Sequence, residues 1–230
     1  MTPGDLSLAF GRGALRGRRD PDFGGPALSA FLKAPDALLE GDEVLKDDAS
    51  ARVVRRRMEG RDVVIKRYRY PDALRALRRA PRASRARRSC EGAALLGTFG
   101  ILAPTPLAWV ERRVGPLCTA SWSISACVEG LEAPAALASA AADAPRRARL
   151  VDALAALVMR LQAARIVHGD LKATNLLVTA ADEVVLLDLH AVRRVAANAP
   201  ALQRDRARFL RNWEAQPALA AVFAARLARA

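Results

Sequence analysis

The sequence predicts an α+β protein with two lobes, a small antiparallel β-rich N-lobe with one main helix and a compact, mainly helical C-lobe. β-Branched residues dominate Asp62–Tyr68, which is typical of a strand. Apolar residues recur at helical spacing across Arg149–Arg165. The polar segment His168–Asn175, here called the polar loop, follows this helix almost directly. A β-rich first half and a helical second half with one polar loop indicate this fold class.

The first half is predicted to contain a tail, a short helix and a series of strands. Residues 1–26 are rich in Gly, Arg, Pro and Asp, which predicts a loose or lightly docked tail. A short helix is predicted within Ala27–Leu39. Residues 72–97 are helical by composition, with a break at Pro81. Strands are predicted at Glu43–Lys46, Ala51–Arg57, Asp62–Tyr68, Ile101–Arg113 and Leu117–Val128, with a turn at Met58–Arg61.

The second half is predicted to be mainly helical, with a small hairpin after the polar loop. Val128–Gly130 is interpreted as the linker between the lobes. We therefore predict a tail with a short helix over 1–37, an N-lobe over 38–129 and a C-lobe over 130–230. The hairpin pairs Asn175–Val178 with Val184–Leu187, and further helices are predicted at Leu202–Trp213 and Ala218–Ala228.

One basic segment accounts for nearly all of the net charge of +13. Arg52–Arg88 holds fifteen basic and three acidic residues, and the remainder is close to neutral. Such a segment predicts an anionic partner, such as a glycolipid phosphate or an anionic membrane surface, or else a solvated helix face in an Arg-rich protein. Nucleic acid is not expected, because Tyr68 and Tyr70 are the only aromatic residues there and no binding motif is present.

Other features of the composition favour a reducing, cytoplasmic setting. The three cysteines, Cys90, Cys118 and Cys127, have no metal-like spacing and are odd in number, so neither a disulfide framework nor a structural zinc site is expected. The first residues lack the pattern of a signal peptide, and no run of eighteen apolar residues occurs. We expect a monomer in the cytoplasm, with peripheral contact at the inner face of the cytoplasmic membrane as one interpretation of the basic segment.

The polar loop and a later carboxylate have the spacing of a phosphoryl-transfer site of the kinase type. That chemistry needs a carboxylate beside the attacking hydroxyl, Asn and Asp ligands for the metal ions, and a cation near the phosphoryl group. Asp170 is assigned to the hydroxyl and Lys172 to the developing charge. Asn175 and Asp188 are assigned to metal. Each residue alone is also a common turn or cap residue, and only the joint pattern carries the prediction.

Candidate phosphate-binding residues lie in the predicted N-lobe. Lys66 ends the run Val63–Lys66, which is similar to the kinase strand whose lysine contacts the α- and β-phosphates. Glu91, on the following helix, is the predicted partner of Lys66, and a surface glutamate paired with Arg is the alternative. An exposed lysine at a strand end is the corresponding alternative for Lys66.

The remaining nucleotide contacts are predicted from position. Lys46–Arg52 stands where kinases carry a glycine-rich phosphate loop but contains no glycine, so backbone amides with help from Ser50 would have to hold the phosphates. Asp47 and Asp48 would repel phosphate unless they point away. Backbone groups of Ala126 and Val128 are predicted to pair with the adenine edge.

The chain resembles the bacterial lipopolysaccharide kinase family, the Kdo/heptose kinases with a protein-kinase-like fold, over about Leu38–Trp213. The segments that carry the resemblance are Val64–Tyr68, Gly100–Pro106, His168–Asn175, Asp188–His190 and Arg204–Phe209. The triplet at Asp188 is similar to the form of this family and differs from the protein-kinase D-F-G. Only 42 residues follow Asp188, and no A-P-E occurs among them, which favours a compact kinase for a small or glycolipid acceptor.

The resemblance implies a kinase that uses ATP and Mg²⁺ to phosphorylate a Kdo or heptose hydroxyl of lipopolysaccharide core, or a related glycolipid. It also implies that Asp205 anchors the backbone of the polar loop, whereas an ordinary ion pair with a neighbouring Arg is the alternative. Two other functions remain open: a non-catalytic module that binds nucleotide or glycolipid, and a kinase for a protein or another small molecule.

Overall fold

Seven antiparallel strands dominate the first half of the chain, within the residues that the computed structural model describes, 6–40, 42–70 and 83–228. The spatial order of the strands is β1-β2-β6-β7-β5-β4-β3, so β1 and β3 form the edges. Every neighbouring pair is antiparallel. The strands are β1 Leu8–Arg12, β2 Leu15–Arg19, β3 Glu43–Asp47, β4 Ala51–Met58, β5 Arg61–Tyr68, β6 Pro106–Val114 and β7 Leu117–Ala126.

The prediction of a loose tail over residues 1–26 is wrong where the structure describes it. Leu8–Arg12 and Leu15–Arg19 form a hairpin, and β2 pairs with β6 from Leu15 opposite Arg112 to Arg19 opposite Ala108. The pairing of β2 with β6 requires glycine at position 17, because a Cβ on Gly17 would lie 2.1 Å from the backbone oxygen of Trp109. An Arg- and Gly-rich composition suggested disorder, but pairing with a strand ninety residues later fixes this segment.

The helices of the first half agree with the prediction in the described residues. Helix α1 spans Pro26–Lys33 and a 3₁₀ turn spans Ala37–Leu39; helix α2 spans Arg85–Gly97. The predicted helical segment at 72–82 lies outside the described residues. The predicted strand at Ile101–Arg113 begins only at Pro106, after irregular residues. The core under the sheet includes Phe31, whose ring meets Trp122 edge to face with centroids 6.3 Å apart.

The second half combines four helices with short strands in its described part. The predicted helix over Arg149–Arg165 is confirmed as the later part of α4, whose buried face consists of Leu150, Val151, Leu154, Ala155, Leu157, Val158 and Leu161. The predicted hairpin is confirmed by β10 and β11. Helix α3 was not predicted from the sequence. The elements are β8 Leu131–Glu132, α3 Ala133–Ser139, α4 Ala144–Ala163, β9 Ile166–Val167, β10 Leu176–Val178, β11 Val184–Leu186, β12 Arg193–Arg194, α5 Pro200–Arg211 and α6 Pro217–Ala228.

The chain divides into two compact units. The sheet unit contains the residues up to Ala94 and Pro104–Cys127, and the helical unit contains Leu95–Ala103 and the residues from Val128 onward. Residues 95–103 belong to the helical unit because, for example, the Leu102 carbonyl accepts a hydrogen bond from the Leu186 amide at 2.9 Å.

Candidate active site

The polar loop connects β9 to β10 in the helical unit. Gly169 has φ of 88°, a conformation that costs glycine little and other residues much. A Cβ on Gly169 would also lie 2.9 Å from the Cβ of Ala191. The loop ends in a 3₁₀ turn at Ala173–Asn175. Glycine at this position is therefore required for the loop to turn between His168 and Asp170.

The carboxylate of Asp205 on α5 accepts hydrogen bonds from the backbone of the polar loop, which confirms the anchoring role predicted for Asp205. Its Oδ2 accepts the His168 amide at 2.6 Å, and its carboxylate accepts the Gly169 amide at 3.0 and 3.1 Å. Asp205 is buried, so these charge-assisted bonds lie out of water, where they are strong. The loop conformation is thus set by a helix that begins 25 residues after the loop ends.

His168 is fully buried, and its ring lies between the polar loop and strand β11. The Asp170 amide donates to His168 Nδ1 at 3.3 Å, and His168 Nε2 lies 2.8 Å from the carbonyl oxygen of Leu187. A carbonyl only accepts, so the proton of the neutral ring is on Nε2. Burial lowers the pKa of His168 and outweighs the opposing effects of Leu187 and nearby carboxylates. His168 is accordingly a neutral structural residue of the loop.

Asp170 carries a cation on each carboxylate oxygen. Lys172 Nζ lies 2.9 Å from Oδ2, and Arg208 Nη1 from helix α5 binds Oδ1. Burial raises the pKa of Asp170, but hydrogen bonds and charges from Lys172 and Arg208 outweigh burial, so its pKa is lowered. Asp170 is therefore an ionised carboxylate, as a residue that orients or accepts the proton of a hydroxyl must be.

Asn175 faces Asp170 across the loop. Its side-chain Nδ2 donates to the backbone oxygen of Asp170 at 2.8 Å, and its backbone carbonyl accepts a hydrogen bond from the Leu187 amide at 2.8 Å. The first bond uses the amide nitrogen and leaves Oδ1 as the ligand atom that a hard cation prefers. This contact braces the backbone of Asp170, while the predicted metal-binding role of Asn175 stays a prediction.

Asp188 follows β11 and has a left-handed backbone, with φ 56° and ψ 58°. This conformation is costly for a non-glycine residue and is concentrated at functional sites. Its Oδ1 lies 2.8 Å from His190 Nδ1. The described residues contain no cluster of three or more His, Cys, Asp or Glu side chains placed to hold a metal ion. A site built on Asn175 and Asp188 would instead use one amide oxygen and one carboxylate, with phosphates completing it.

Lys66 lies on a central strand of the sheet unit. In β5 it pairs with Val53 of β4 and with Ser123 of β7. Its Nζ lies 5.2 Å from the centroid of the Tyr68 ring, on the same face of the strand. A lysine on the central strand of a sheet is held at a fixed position by pairing on both sides.

The predicted pairing of Glu91 with Lys66 is not what the structure shows. Glu91 Oε1 accepts from Arg87 Nε at 2.7 Å, one helical turn earlier on α2, and both side chains are about half exposed. Arg87 in turn lies over the Trp109 ring. The alternative interpretation, an Arg-paired surface glutamate, is the one found, because residues four apart on a helix are neighbours on its surface.

The turn between β3 and β4 was predicted to bind a phosphate, but its hydrogen-bond donors bind the carboxylate of Asp48 instead. Asp48 Oδ1 accepts the Ser50 hydroxyl at 2.6 Å and the amides of Ser50 and Ala51 at 2.7 and 3.0 Å. Hydrogen bonds from Ser50, and then from Lys46, hold the pKa of Asp48 well below its usual range. The Ser50 groups predicted to hold phosphate are therefore already used by Asp48.

Asp47, the other carboxylate of this turn, is also paired. It lies 3.0 Å from Arg52 Nη1 and 2.6 Å from Arg69 Nη2. The expected repulsion of phosphate by Asp47 and Asp48 is accordingly reduced by cations on both.

The two residues predicted to hold adenine fall in different units. The Ala126 amide donates to the Thr105 carbonyl at 2.9 Å. The predicted contact of Ala126 with adenine is therefore limited to the carbonyl group of Ala126. Val128 begins the second segment of the helical unit. Its predicted contact with adenine stays a prediction.

Most of the basic segment is paired with acidic side chains where the structure describes it. The pairs are Arg52–Asp47, Arg55–Asp62, Arg56–Asp42, Arg67–Asp36, Arg69–Asp47 and Arg87–Glu91. Four further arginines of the segment, in residues 71–82, lie outside the described residues. The described part of the segment therefore favours the solvated, ion-paired interpretation over an unneutralised anion-binding surface.

Arg208 and Asn212 are the site residues that sequence reasoning missed. Asn212 Nδ2 donates to the Leu171 carbonyl at 3.2 Å, and Arg208 donates to Asp170 and to the Gly169 carbonyl. Their spacing from Asp205 is three and seven residues, so all three lie on one face of α5. That spacing was visible in the sequence once Asp205 was taken as the anchor.

Comparison with known proteins agrees with this fold. A solved structure described as "WaaP in complex with acyl carrier protein" is similar to this chain, with a TM-score of 0.62 and 18% sequence identity over 90% of this chain and 88% of that chain. No curated protein matches the chain. None of the helices in the described residues has the length and apolar character needed to cross a membrane.

The family that residues 51–226 match defines the class of this protein as a kinase, a phosphotransferase that acts on sugar hydroxyls. Residues 51–226 match the family described as the lipopolysaccharide kinase (Kdo/WaaP) family. This match covers more than half of the sequence. The chain belongs to the lipopolysaccharide kinase (Kdo/WaaP) family.

Proposed function

We propose that this protein transfers the γ-phosphoryl group of ATP to a Kdo or heptose hydroxyl of lipopolysaccharide core, or to a hydroxyl of a related glycolipid. The observation that carries the proposal is the geometry of the polar loop. Asn175 holds the backbone of Asp170, and Asp205 holds the two residues before Asp170. A carboxylate held this firmly is positioned before the substrate binds, which is how phosphoryl-transfer enzymes obtain most of their rate.

Two side chains of the loop act on the reacting groups. Asp170, ionised in the structure, orients the acceptor hydroxyl and receives its proton as the new bond to phosphorus forms. Lys172, whose side chain is more than half exposed, offsets the charge on the transferred phosphoryl group. The proton moves from the hydroxyl oxygen to Asp170, and ADP leaves with the bonding electron pair of the broken bond.

Asn175 and Asp188 are the residues that would hold Mg²⁺. One amide oxygen and one carboxylate fit this ion, which is usually bound through one or two carboxylates together with substrate phosphates. The left-handed backbone of Asp188 is a further sign of a functional position. Bound Mg²⁺ would supply charge neutralisation on the β- and γ-phosphates.

The sheet unit is proposed as the N-lobe, which binds ATP, and the helical unit as the C-lobe, which carries the polar loop. Lys66 is the proposed contact for the α- and β-phosphates, supported by its fixed place on the central strand β5. The Ala126 carbonyl and the Val128 backbone are proposed for the adenine edge. Ser50 and Glu91 are not proposed as parts of the ATP site, because the Ser50 hydroxyl is bound to Asp48 and the Glu91 carboxylate is bound to Arg87.

The test is transfer of phosphate from ATP to purified core oligosaccharide. Asp170→Ala and Asp188→Ala should each lower turnover at least 100-fold, since general base catalysis by Asp170 contributes about 10²–10⁴ and Asp188 is the proposed carboxylate ligand of Mg²⁺. Asp152→Ala is the matched control: Asp152 pairs with Arg226 on an exposed surface of the same unit, and turnover should stay within about twofold. Transfer that survives both site substitutions would exclude this mechanism.

One observation favours the second candidate, a non-catalytic module that binds nucleotide or glycolipid. The β3–β4 turn directs the amides of Ser50 and Ala51 at Asp48, so these amides are not offered to a nucleotide. Such a module would bind Mg²⁺-ATP, measured by calorimetry, yet transfer no phosphate to any sugar acceptor. Binding together with transfer would decide for the kinase.

A cytoplasmic monomer with peripheral contact at an anionic inner-membrane surface remains part of the proposal. Its support is the basic composition of the segment Arg52–Arg88, since each Lys or Arg near such a surface would add about 1 kcal/mol. Sedimentation with anionic vesicles tests it, and binding that salt does not weaken would argue against it. By analogy with the WaaP complex, acyl carrier protein is a candidate partner, to be tested by co-elution on a sizing column.

A further inference from the structure

We propose that Arg208 selects acceptors that carry a carboxylate or phosphate beside the reacting hydroxyl, by exchanging its bond to Asp170 for a bond to that anion. The inference rests on the proposed function, because Asp170 is there the residue that meets the hydroxyl. It goes further by assigning a chemical class to the acceptor and a specificity-determining role to Arg208.

The first step of the argument is that Asp170 has one cation more than the reaction needs. Lys172 binds Oδ2 and Arg208 binds Oδ1, so both oxygens face positive charge. Two cations make a carboxylate a weaker proton acceptor. The charge of the transferred phosphoryl group accounts for Lys172. Arg208 is then left without a role in phosphoryl transfer, and its guanidinium group is available to bind another anion.

The second step concerns the position of Arg208. Its side chain is 40% exposed, and besides Asp170 it contacts the Gly169 carbonyl at 3.4 Å. A guanidinium has five donors in a planar fork and binds carboxylate or phosphate with two parallel bonds. A rotation within the exposed part of the side chain would therefore bring this fork to an anion beside Asp170.

A second arginine lies next to the same loop. Arg193 is exposed, donates to the Ala191 carbonyl at 3.2 Å, and its Nη1 lies 3.8 Å from the point where a Cβ on Gly169 would be. Arg193 and Arg208 thus both lie close to Gly169, directly beside Asp170. Two exposed guanidinium groups at this position form a surface suited to an anionic sugar.

A purely structural role for Arg208 is the competing explanation. The polar loop is already held by Asp205, by the ring of His168 and by Asn212. Ion pairs between partly exposed side chains contribute little to stability. An ion pair from Arg208 would therefore add little stability to a loop that these residues already hold. Exchange of its bond to Asp170 for a bond to an acceptor anion explains the position of Arg208 better.

The experiment compares three acceptors: core oligosaccharide, the same material with its carboxylates reduced to alcohols, and the same material after removal of its phosphates. Wild type should use the native acceptor at least tenfold better, in kcat/KM, than the form that lacks the recognised anion. If the reduced acceptor is the poorer one, the recognised anion is a carboxylate. If the dephosphorylated acceptor is the poorer one, the recognised anion is a phosphate. Arg208→Met should abolish the preference through a higher KM for the native acceptor, and Arg208→Lys should restore part of it.

Arg206→Met is the matched control, since it removes the same charge from a different side of α5. It should keep the preference for the native acceptor. If Arg208→Met lowers kcat/KM by the same factor for all three acceptors, Arg208 is a structural clamp and the proposal is wrong.

A binding measurement separates this proposal from the proposed function. Calorimetry with the same three oligosaccharides gives a Kd for wild type and for Arg208→Met without any turnover. Equal Kd values for the three forms on wild type would overturn the role of Arg208 even if transfer occurs. Selective binding that depends on Arg208, without phosphate transfer, would instead overturn the kinase function and leave the anion-recognising role intact.

Discussion

His168 Nε2 donates a hydrogen bond to the carbonyl oxygen of Leu187 across 2.8 Å, and this bond ties the polar loop to the residue directly before Asp188. The Asn175 carbonyl accepts the Leu187 amide in the same region. Both backbone groups of Leu187 are therefore held by the polar loop. The carboxylates of Asp170 and Asp188 are placed relative to each other by these two bonds.

The first prediction concerns the anchor of the loop. Asp205→Ala leaves the buried amide of His168 and the part-buried amide of Gly169 without their acceptor, so the free energy of unfolding should fall by about 3 kcal/mol. Asp152→Ala breaks an exposed ion pair on the same unit and should cost at most about 1 kcal/mol. Urea denaturation of both variants is the measurement. Equal losses would mean that Asp205 does not anchor the loop.

The second prediction is a pH dependence of stability that originates at His168. Burial lowers the pKa of His168 in the folded protein below 6.5, the value of an ordinary histidine. The unfolded chain therefore takes up the proton first as the pH falls. The free energy of unfolding should decrease as pH drops below 6.5, by up to about 1.4 kcal/mol per pH unit, until the folded pKa is reached.

His168→Gln provides the comparison for this pH dependence. Its side-chain amide can still donate to the Leu187 carbonyl but does not titrate. Denaturation curves at pH 7.5 and 5.5 should show a larger loss for wild type than for this variant. A loss of the same size in both proteins would assign the pH dependence to other groups.

The third prediction separates charge from backbone strain at Asp188. Asp188→Asn keeps a residue type that tolerates the left-handed conformation, so stability should change by no more than about 1 kcal/mol while turnover falls at least 100-fold. Asp182 has the same conformation, with φ of 58°, and pairs with Arg146 at 3.0 Å on the β10–β11 turn. Asp182→Asn should keep turnover within twofold. A similar loss of turnover in both would show that backbone conformation, and not the charge of Asp188, is what matters.

The fourth prediction distinguishes the two candidate phosphate contacts of the sheet unit. Lys66→Met should raise the KM for ATP at least tenfold, because it removes a cation proposed to bind the phosphates. Ser50→Ala should leave this KM within about twofold, because the Ser50 hydroxyl is bound to Asp48. Steady-state kinetics with ATP varied at a fixed acceptor concentration measures both. A KM that rises with Ser50→Ala would show that the turn opens to bind nucleotide.

Several elements could be predicted because their signals are local. The strand at Asp62–Tyr68 and the apolar stripe of α4 follow from residue type and spacing, and both are present within a few residues of the prediction. The polar loop was recognisable because its spacing of Asp, Lys and Asn is rare in combination. Glu91 was misplaced because the way α2 packs against the strand of Lys66 is not fixed by sequence pattern, whereas its neighbour Arg87, four residues earlier on the same helix, binds it.

The sequence by itself determined the order of β-rich and helical halves and the kinase class, since these depend on short-range patterns, and from the same patterns it predicts that Asp170, Lys172, Asn175 and Asp188 form one site. The tertiary structure alone decided how the site is held. Strand β2 pairs with β6 and β1 pairs with β2, and Asp48 accepts from the amides that a phosphate was expected to bind. Arg208 reached Asp170 from a helix 38 residues away. Contacts between residues distant in the chain depend on the packing of whole elements, and no local pattern records that packing.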